Sequence, residues 1–217
     1  MVHAGSRFLA LPLVAALRAG AAMRAQTTSE VWPEIDVYWR PAEQQRSMLE
    51  LSKSAEREGA KHEATVGVYQ DYLFLPRGYL RAGYRFTAST RDASYRESRI
   101  VLENVLSRDF SPLWHLANRA RVEPRWINGA FSYRVRERVH LQRERRPPRG
   151  WALAPYGTAE AYYDSRFATI ARLGGRVGNV FRFGARRSLD LYVAQQVNSR
   201  TAPRTIDAFG VTLALTY

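Results

Sequence analysis

The chain has 217 residues, 46% hydrophobic and 24% charged, enough for one domain with a sizeable core. Its formal net charge of +13 is carried almost wholly by arginine, since Lys53 and Lys61 are the only lysines, and a balance that basic raises nucleic acid or an anionic surface as a partner. There is no cysteine, which excludes disulfides, thiolate metal sites and cysteine nucleophiles.

Residues 1–25 read as a cleaved signal peptide. Arg7 supplies a positive start, residues 8–17 (FLALPLVAAL) an apolar run, and Ala19, Gly20, Ala21, Ala22 and Ala25 the small residues of a cleavage region, with cleavage after Ala22 or Ala25. The run is well short of the ~20 residues that span a bilayer as a helix. No later segment reads as a transmembrane helix, so residues 26–217 form the mature domain.

A period of two runs through that domain and predicts half-buried strands. Val31, Ile35, Val37 and Trp39 alternate with Trp32, Glu34, Asp36 and Tyr38. Leu80, Ala82, Tyr84 and Phe86 alternate with Tyr79, Arg81, Gly83, Arg85 and Thr87. Further on, Ala120, Val122 and Trp126 alternate with Arg119, Arg121, Glu123 and Arg125, and Tyr133, Val135, Val139 and Leu141 with Arg134, Arg136, Arg138 and His140. Leu189, Leu191 and Val193 alternate with Asp190 and Tyr192. Turn chemistry falls at 40–42 (RPA), 75–78 (LPRG), 127–129 (ING), 146–150 (RPPRG) and 201–204 (TAPR). Counting segments gives about eleven strands. Bacterial membrane barrels carry even numbers, so the expectation within ten to twelve is ten or twelve, all antiparallel.

A soluble sandwich and a membrane barrel both alternate, and they differ in which face is the core. The polar face here is dense in arginine and carboxylate, which predicts a narrow lumen lined by Arg81, Arg85, Arg119, Arg121, Glu123, Arg134, Arg136, Arg138, Glu160, Arg172 and Asp190. Arginine suits such a place because its planar fork holds carboxylates bidentately. In the first strands Glu34, Asp36, Glu50 and Asp71 are expected to pair with arginines such as Arg46, Arg81 and Arg85. Trp32, Trp39, Tyr72, Phe74, Trp114, Trp126, Tyr163, Phe181 and Phe183 fall near inferred strand ends, as interfacial aromatic girdles do. Phe209, Val211, Leu213, Leu215 and Tyr217 share one face of the last strand, and a strand ending on an aromatic residue resembles the signal that outer-membrane barrels present to their assembly machinery.

The second half resembles a family of bacterial outer-membrane β-barrel proteins catalogued as a domain of unknown function. The likeness lies in residues 118–126 (NRARVEPRW), 133–141 (YRVRERVHL), Glu160, residues 171–174 (ARLG), 189–196 (LDLYVAQQ) and the last strand, with a weaker match at 31–39. It implies a barrel fold and an outer-membrane location, and it carries no catalytic residues.

The sequence offers no convincing enzyme site. His62 falls in a loop, and His140 shares a strand and a face with Ser132 at a separation of about 26 Å for eight residues, too far to be a catalytic pair. His115 lies near a strand start. No metal constellation, phosphate loop or cofactor motif is present, and the arginines lie in register with carboxylates rather than as a nucleic-acid patch. The reading is therefore an outer-membrane barrel in contact with lipid and, during biogenesis, with the barrel assembly machinery. Its lumen is either structural or a narrow pore for a small anionic solute. The alternatives are a lipid-modifying enzyme built on a barrel and a soluble periplasmic β-sandwich binding protein.

Overall fold

The computed structural model describes residues 27–57, 59, 61–92, 94–144 and 151–217. The signal-peptide expectation at 1–25 and the turn at 146–150 lie outside them. The described chain is all-β, and eleven strands follow one another: β1 (Thr27–Ala42), β2 (Gln45–Glu56), β3 (His62–Leu75), β4 (Gly78–Ser89), β5 (Arg96–Asp109), β6 (Trp114–Ile127), β7 (Ala130–Arg143), β8 (Trp151–Asp164), β9 (Thr169–Phe183), β10 (Arg187–Asn198) and β11 (Thr205–Thr216). Each pairs with its sequence neighbours, and β1 pairs with β11 to close a barrel. The β-sandwich alternative is therefore set aside.

The count of eleven lies inside the expected range, but it is odd. An up-and-down chain with an odd number of strands brings its first and last strands together pointing the same way. The seam is accordingly parallel, from Thr27 opposite Thr205 to Tyr38 opposite Thr216, while every other pair is antiparallel. The expectation of an even, wholly antiparallel barrel fails here, because pairing energy closes the seam in either orientation with little difference per residue. One end of the barrel carries Thr27 and is called the amino-terminal rim; the other carries Ala42 and Thr216.

Local chemistry explains the turns. The β6–β7 connection is Asn128–Gly129, with φ of 49° and 87°, the two positive values a tight hairpin turn requires. The expected turn at 40–42 is instead the end of β1, where the register with β2 shifts between Trp39 and Ala42. Between β8 and β9 Tyr162 faces Arg172 whereas Tyr163 faces Ile170, so Ala171 is an extra residue and both Ala171 and Arg172 reach the interior.

The alternation sorts the two faces in the reverse of a soluble core. Val66, Val68, Leu80, Leu102, Val122, Val139, Leu173, Val177 and Val193 are exposed on the outside, with Val177 at 66%, whereas the buried residues include Asp71, Glu97, Arg99, Glu103, Arg121, Glu123, Arg125 and Arg136. Strands of 12 to 16 residues suit a membrane. At about 3.3 Å per residue a 14-residue strand is about 46 Å long, and at a tilt near 45° it rises about 33 Å, close to the ~30 Å hydrocarbon thickness. Trp39, Tyr72, Phe74, Trp114, Phe181 and Phe183 face out toward one rim, and Trp126 and Tyr163 toward the other. Trp32 is the exception. It points inward, where its Nε1 donates to Glu30 at 2.6 Å, so it belongs to no girdle.

Large and small residues alternate across the seam half of the interior. Tyr156, Gly178, Tyr192, Gly210 and Trp32 stand in successive register on β8, β9, β10, β11 and β1. Each glycine makes room for the neighbouring rings, as small residues do in tapered barrels. A Cβ at Gly178 would lie 2.7 Å from the Tyr192 Cβ and 2.8 Å from the Leu191 carbonyl, neither of which can swing aside. Gly178→Ala is expected to destabilise the refolded barrel by about 1–3 kcal/mol, read as a lower denaturant midpoint. An unchanged midpoint would show that the row repacks freely.

Candidate functional site: the charged interior

Every residue expected to line the lumen lies on the inward face: Arg81 and Arg85 on β4, Arg119, Arg121 and Glu123 on β6, Arg134, Arg136 and Arg138 on β7, Glu160 on β8, Arg172 on β9 and Asp190 on β10. Strand register links many of them into one row. Arg46 faces Asp71, which faces Arg81, which faces Glu103, which faces Arg121. Arg121 then faces Arg136, which faces Tyr162, Arg172 and Asn198 in turn.

That row would place two arginines side by side on β6 and β7, and Glu123 resolves the conflict. It is fully buried, and its Oε1 takes Arg136 at 3.2 Å, Arg121 at 3.4 Å and Arg99 at 3.6 Å while its Oε2 takes Arg134 at 2.5 Å. Glu160 does the same two strands on, with Arg119 at 2.8 Å and Arg136 and Arg138 at 2.9 Å. Glu103 holds Arg121 at 2.5 Å, and Glu97 holds Arg99 at 2.6 Å. Asp71 sits between Arg46 and Arg81, 2.6 Å from each, and Glu50 takes Arg85 at 2.9 Å and the Tyr69 hydroxyl at 2.6 Å. The Tyr162 ring adds a face for Arg136 at 4.6 Å, Arg134 at 5.4 Å and Arg172 at 5.5 Å. Removing the hub of such a network strands several buried charges at once, whereas removing one spoke leaves each carboxylate other donors. Glu123→Leu is expected to cost about 3–5 kcal/mol and Arg136→Leu distinctly less, both read as denaturant midpoints. Equal losses would show that Glu123 is no hub.

The expected pairing of the first carboxylates holds for Asp71 and Glu50. Glu34 and Asp36 form no ion pair within 4 Å among the described residues; Asp36 accepts only the Tyr38 hydroxyl, at 3.3 Å. Sequence reasoning could not separate these cases, because the tilt of the strands decides which arginine reaches which row.

Two of the cavities among the described residues lie inside the barrel, and no described residue lines both. The larger, about 680 Å³, runs inward from the amino-terminal rim, where Tyr95, Ile127, Phe167 and Thr201 border it, to Tyr38, Arg138, Asp190 and Thr212. The smaller, about 470 Å³, lies at the opposite rim between Arg77, Asp109, His115, His140 and Arg182. A layer of side chains lies between them. It consists of Arg46, Asp71 and Arg81, of Glu160 with its arginines, and of Tyr156, whose ring stacks on His140 at 5.0 Å and whose hydroxyl donates to Asp190 at 2.8 Å. Arg46 also lies over the Tyr38 and Tyr79 rings at 5.1 and 5.0 Å.

The smaller cavity holds both candidate histidines. His115, on the inward face of β6, pairs through Nδ1 with Asp109 at 2.8 Å, and His140 bonds Gln142 at 3.3 Å. Neither is hydrogen-bonded to a serine; the nearby Ser111 hydroxyl accepts the backbone N–H of Leu113 and of Trp114. A histidine–aspartate pair can orient an imidazole as a base, but no nucleophile meets it among the described residues. Among those residues no three metal-ligating side chains come together.

Phe209, Val211, Leu213 and Leu215 face outward on β11, with Tyr217 just beyond it on the same face. The outward face also carries polar pairs: Asn118 donates to Glu137 at 2.5 Å, with Glu137 midway along β7, and Gln195 donates to Asp207 at 2.9 Å. The alternating-arginine motifs gave no warning of them. No family model, curated protein or solved structure matches the chain.

Proposed function

We propose that the protein is an outer-membrane β-barrel whose interior is a solute vestibule closed by a charged septum, with residues 1–25 as its export segment. The observation that carries this reading is the inversion of the faces. Large apolar side chains are exposed on all the strands, while carboxylates and arginines are buried inside. In water such an exterior would be a continuous sticky surface. In lipid it is the favourable one, and a closed sheet leaves no backbone edge unpaired. The exterior is then a lipid contact, and the apolar face of β11 is the surface offered to the assembly machinery. Membership of the barrel family named above rests on the sequence likeness.

Within that reading the interior favours a closed vestibule over an anion-preferring pore. Seven inward arginines are already held in ion pairs by Glu97, Glu103, Glu123 and Glu160, and no described residue lines both cavities. After refolding, residues 26–217 are expected to float with lipid vesicles and to carry no steady current across a planar bilayer. Recovery as a monodisperse soluble protein without detergent would defeat the membrane reading, and regular single-channel steps would defeat the septum.

Glu137 gives an independent check. A carboxylate on the lipid face near the middle of a strand is costly, by an amount smaller than the ~2–4 kcal/mol of a cation there. Glu137→Leu is expected to stabilise the barrel in vesicles by about 1–2 kcal/mol, measured by reversible unfolding. On a water-facing surface the same change would fall within about 0.5 kcal/mol of zero.

A further inference from the structure

The two sides of the larger cavity are chemically unlike. On the β5–β8 side the carboxylates are saturated by guanidinium groups. On the seam side they are not. Glu34 and Asp36 on β1 and Asp190 on β10 all border the cavity. Strand register places Glu34 opposite Thr212 and Thr212 opposite Asp190, so the carboxylates occupy one patch of wall. The strand between them, β11, brings only Ile206, Ala208, Gly210, Thr212, Ala214 and Thr216 inward, with no cation.

Their oxygens lack donors. Asp36 is 7% exposed, and its Oδ1 is buried without a hydrogen-bond partner. Asp190 gives its Oδ2 to Tyr156 and leaves Oδ1 buried and unpartnered. Glu34 makes no hydrogen bond or ion pair within 4 Å among the described residues. Among the described residues none of the arginines that border the cavity, Arg81, Arg85 and Arg138 included, lies within 4 Å of Glu34, Asp36 or Asp190. Arg176 lies on the faces of Tyr192 at 4.9 Å and Trp32 at 5.9 Å, and no carboxylate lies within 4 Å of it among the described residues. Buried carboxylate oxygens without donors are unfavourable, and a donor brought by a solute would relieve them. The carboxylates are too dispersed to ligate one metal ion. A cation with several N–H donors spread along a short chain matches the patch.

We propose that the larger cavity binds a small linear organic polyammonium ion, of the size of a diamine, through Asp36, Glu34 and Asp190. This rests on the vestibule reading for the way in, but not on the surrounding lipid. The test uses the full chain refolded in detergent micelles and titrated calorimetrically with 1,4-diaminobutane, with 1,4-butanediol as the neutral analogue and succinate as the anion. Saturable binding of the diamine, none of the diol, and at least tenfold weaker binding in Asp36→Asn and in Glu34→Gln are expected. These isosteric variants keep the fold, checked by an unchanged strand circular dichroism spectrum. Absence of saturable diamine binding overturns the proposal, as does binding that both variants leave intact. Saturable succinate binding lost in Arg176→Gln would overturn it in favour of an anion site. Vesicle flotation of the same preparation reports the membrane reading separately, so failure of one leaves the other standing.

Discussion

The structure depends on one constraint: many of the charges that line the closed barrel are buried, and burial strips them of most of their water. A buried carboxylate or guanidinium without a partner is among the most destabilising features a protein can contain, while a well-made pair roughly breaks even. The interior therefore has to be neutralised group by group. Glu123 shows how far this goes, with four arginines from three strands converging on one fully buried carboxylate. Because Arg99 belongs to β5, Arg121 to β6, and Arg134 and Arg136 to β7, the hub also ties together strands that backbone hydrogen bonds join only in pairs. Such convergence fixes register as well as charge, since a one-residue slip of β7 would turn Arg134 and Arg136 outward.

The outside obeys the complementary constraint. Closure satisfies the backbone of every strand, so the exterior side chains are free to be apolar, and on nearly every strand they are. The odd strand number has no effect on this face. It only makes the seam parallel, and β1 and β11 accommodate that in unbroken register over the paired stretch. The polar pair Asn118–Glu137 is a local conflict with an apolar exterior, and within it each group satisfies part of the other's hydrogen-bonding capacity.

Much of this was legible in the residues. Period-two alternation assigned the inward arginines of β4, β6 and β7 to one face because alternation depends on pleat geometry alone. Asn128–Gly129 marked its turn because few residues tolerate positive φ in succession. Three things were not legible. Strand parity depends on how the seam closes, a property of the whole ring that no local window contains. The room for Trp32, which alternation already set on the inward face with Glu34 and Asp36, depended on Gly210 one strand away. The separate fates of Asp71, which found two arginines, and Asp36, which found none, came from strand tilt, which carries each residue to a row several positions removed from its neighbours in sequence.

Charge saturation is also unevenly distributed, and the seam accounts for this. The inward face of β11 is small and uncharged, so the strands on either side of it have nothing to pair with directly. Arg176 of β9 reaches β1 at the Trp32 ring rather than at a carboxylate. Arg138 is already held by Glu160, and Arg176 is held on aromatic rings. The carboxylates of β1 and β10 are left facing open space, at the side of the barrel where small residues make that space widest. The small residues on β11 thus create the cavity and leave its acidic wall unpaired, so a single feature of the seam produces both the volume and the charge of the vestibule.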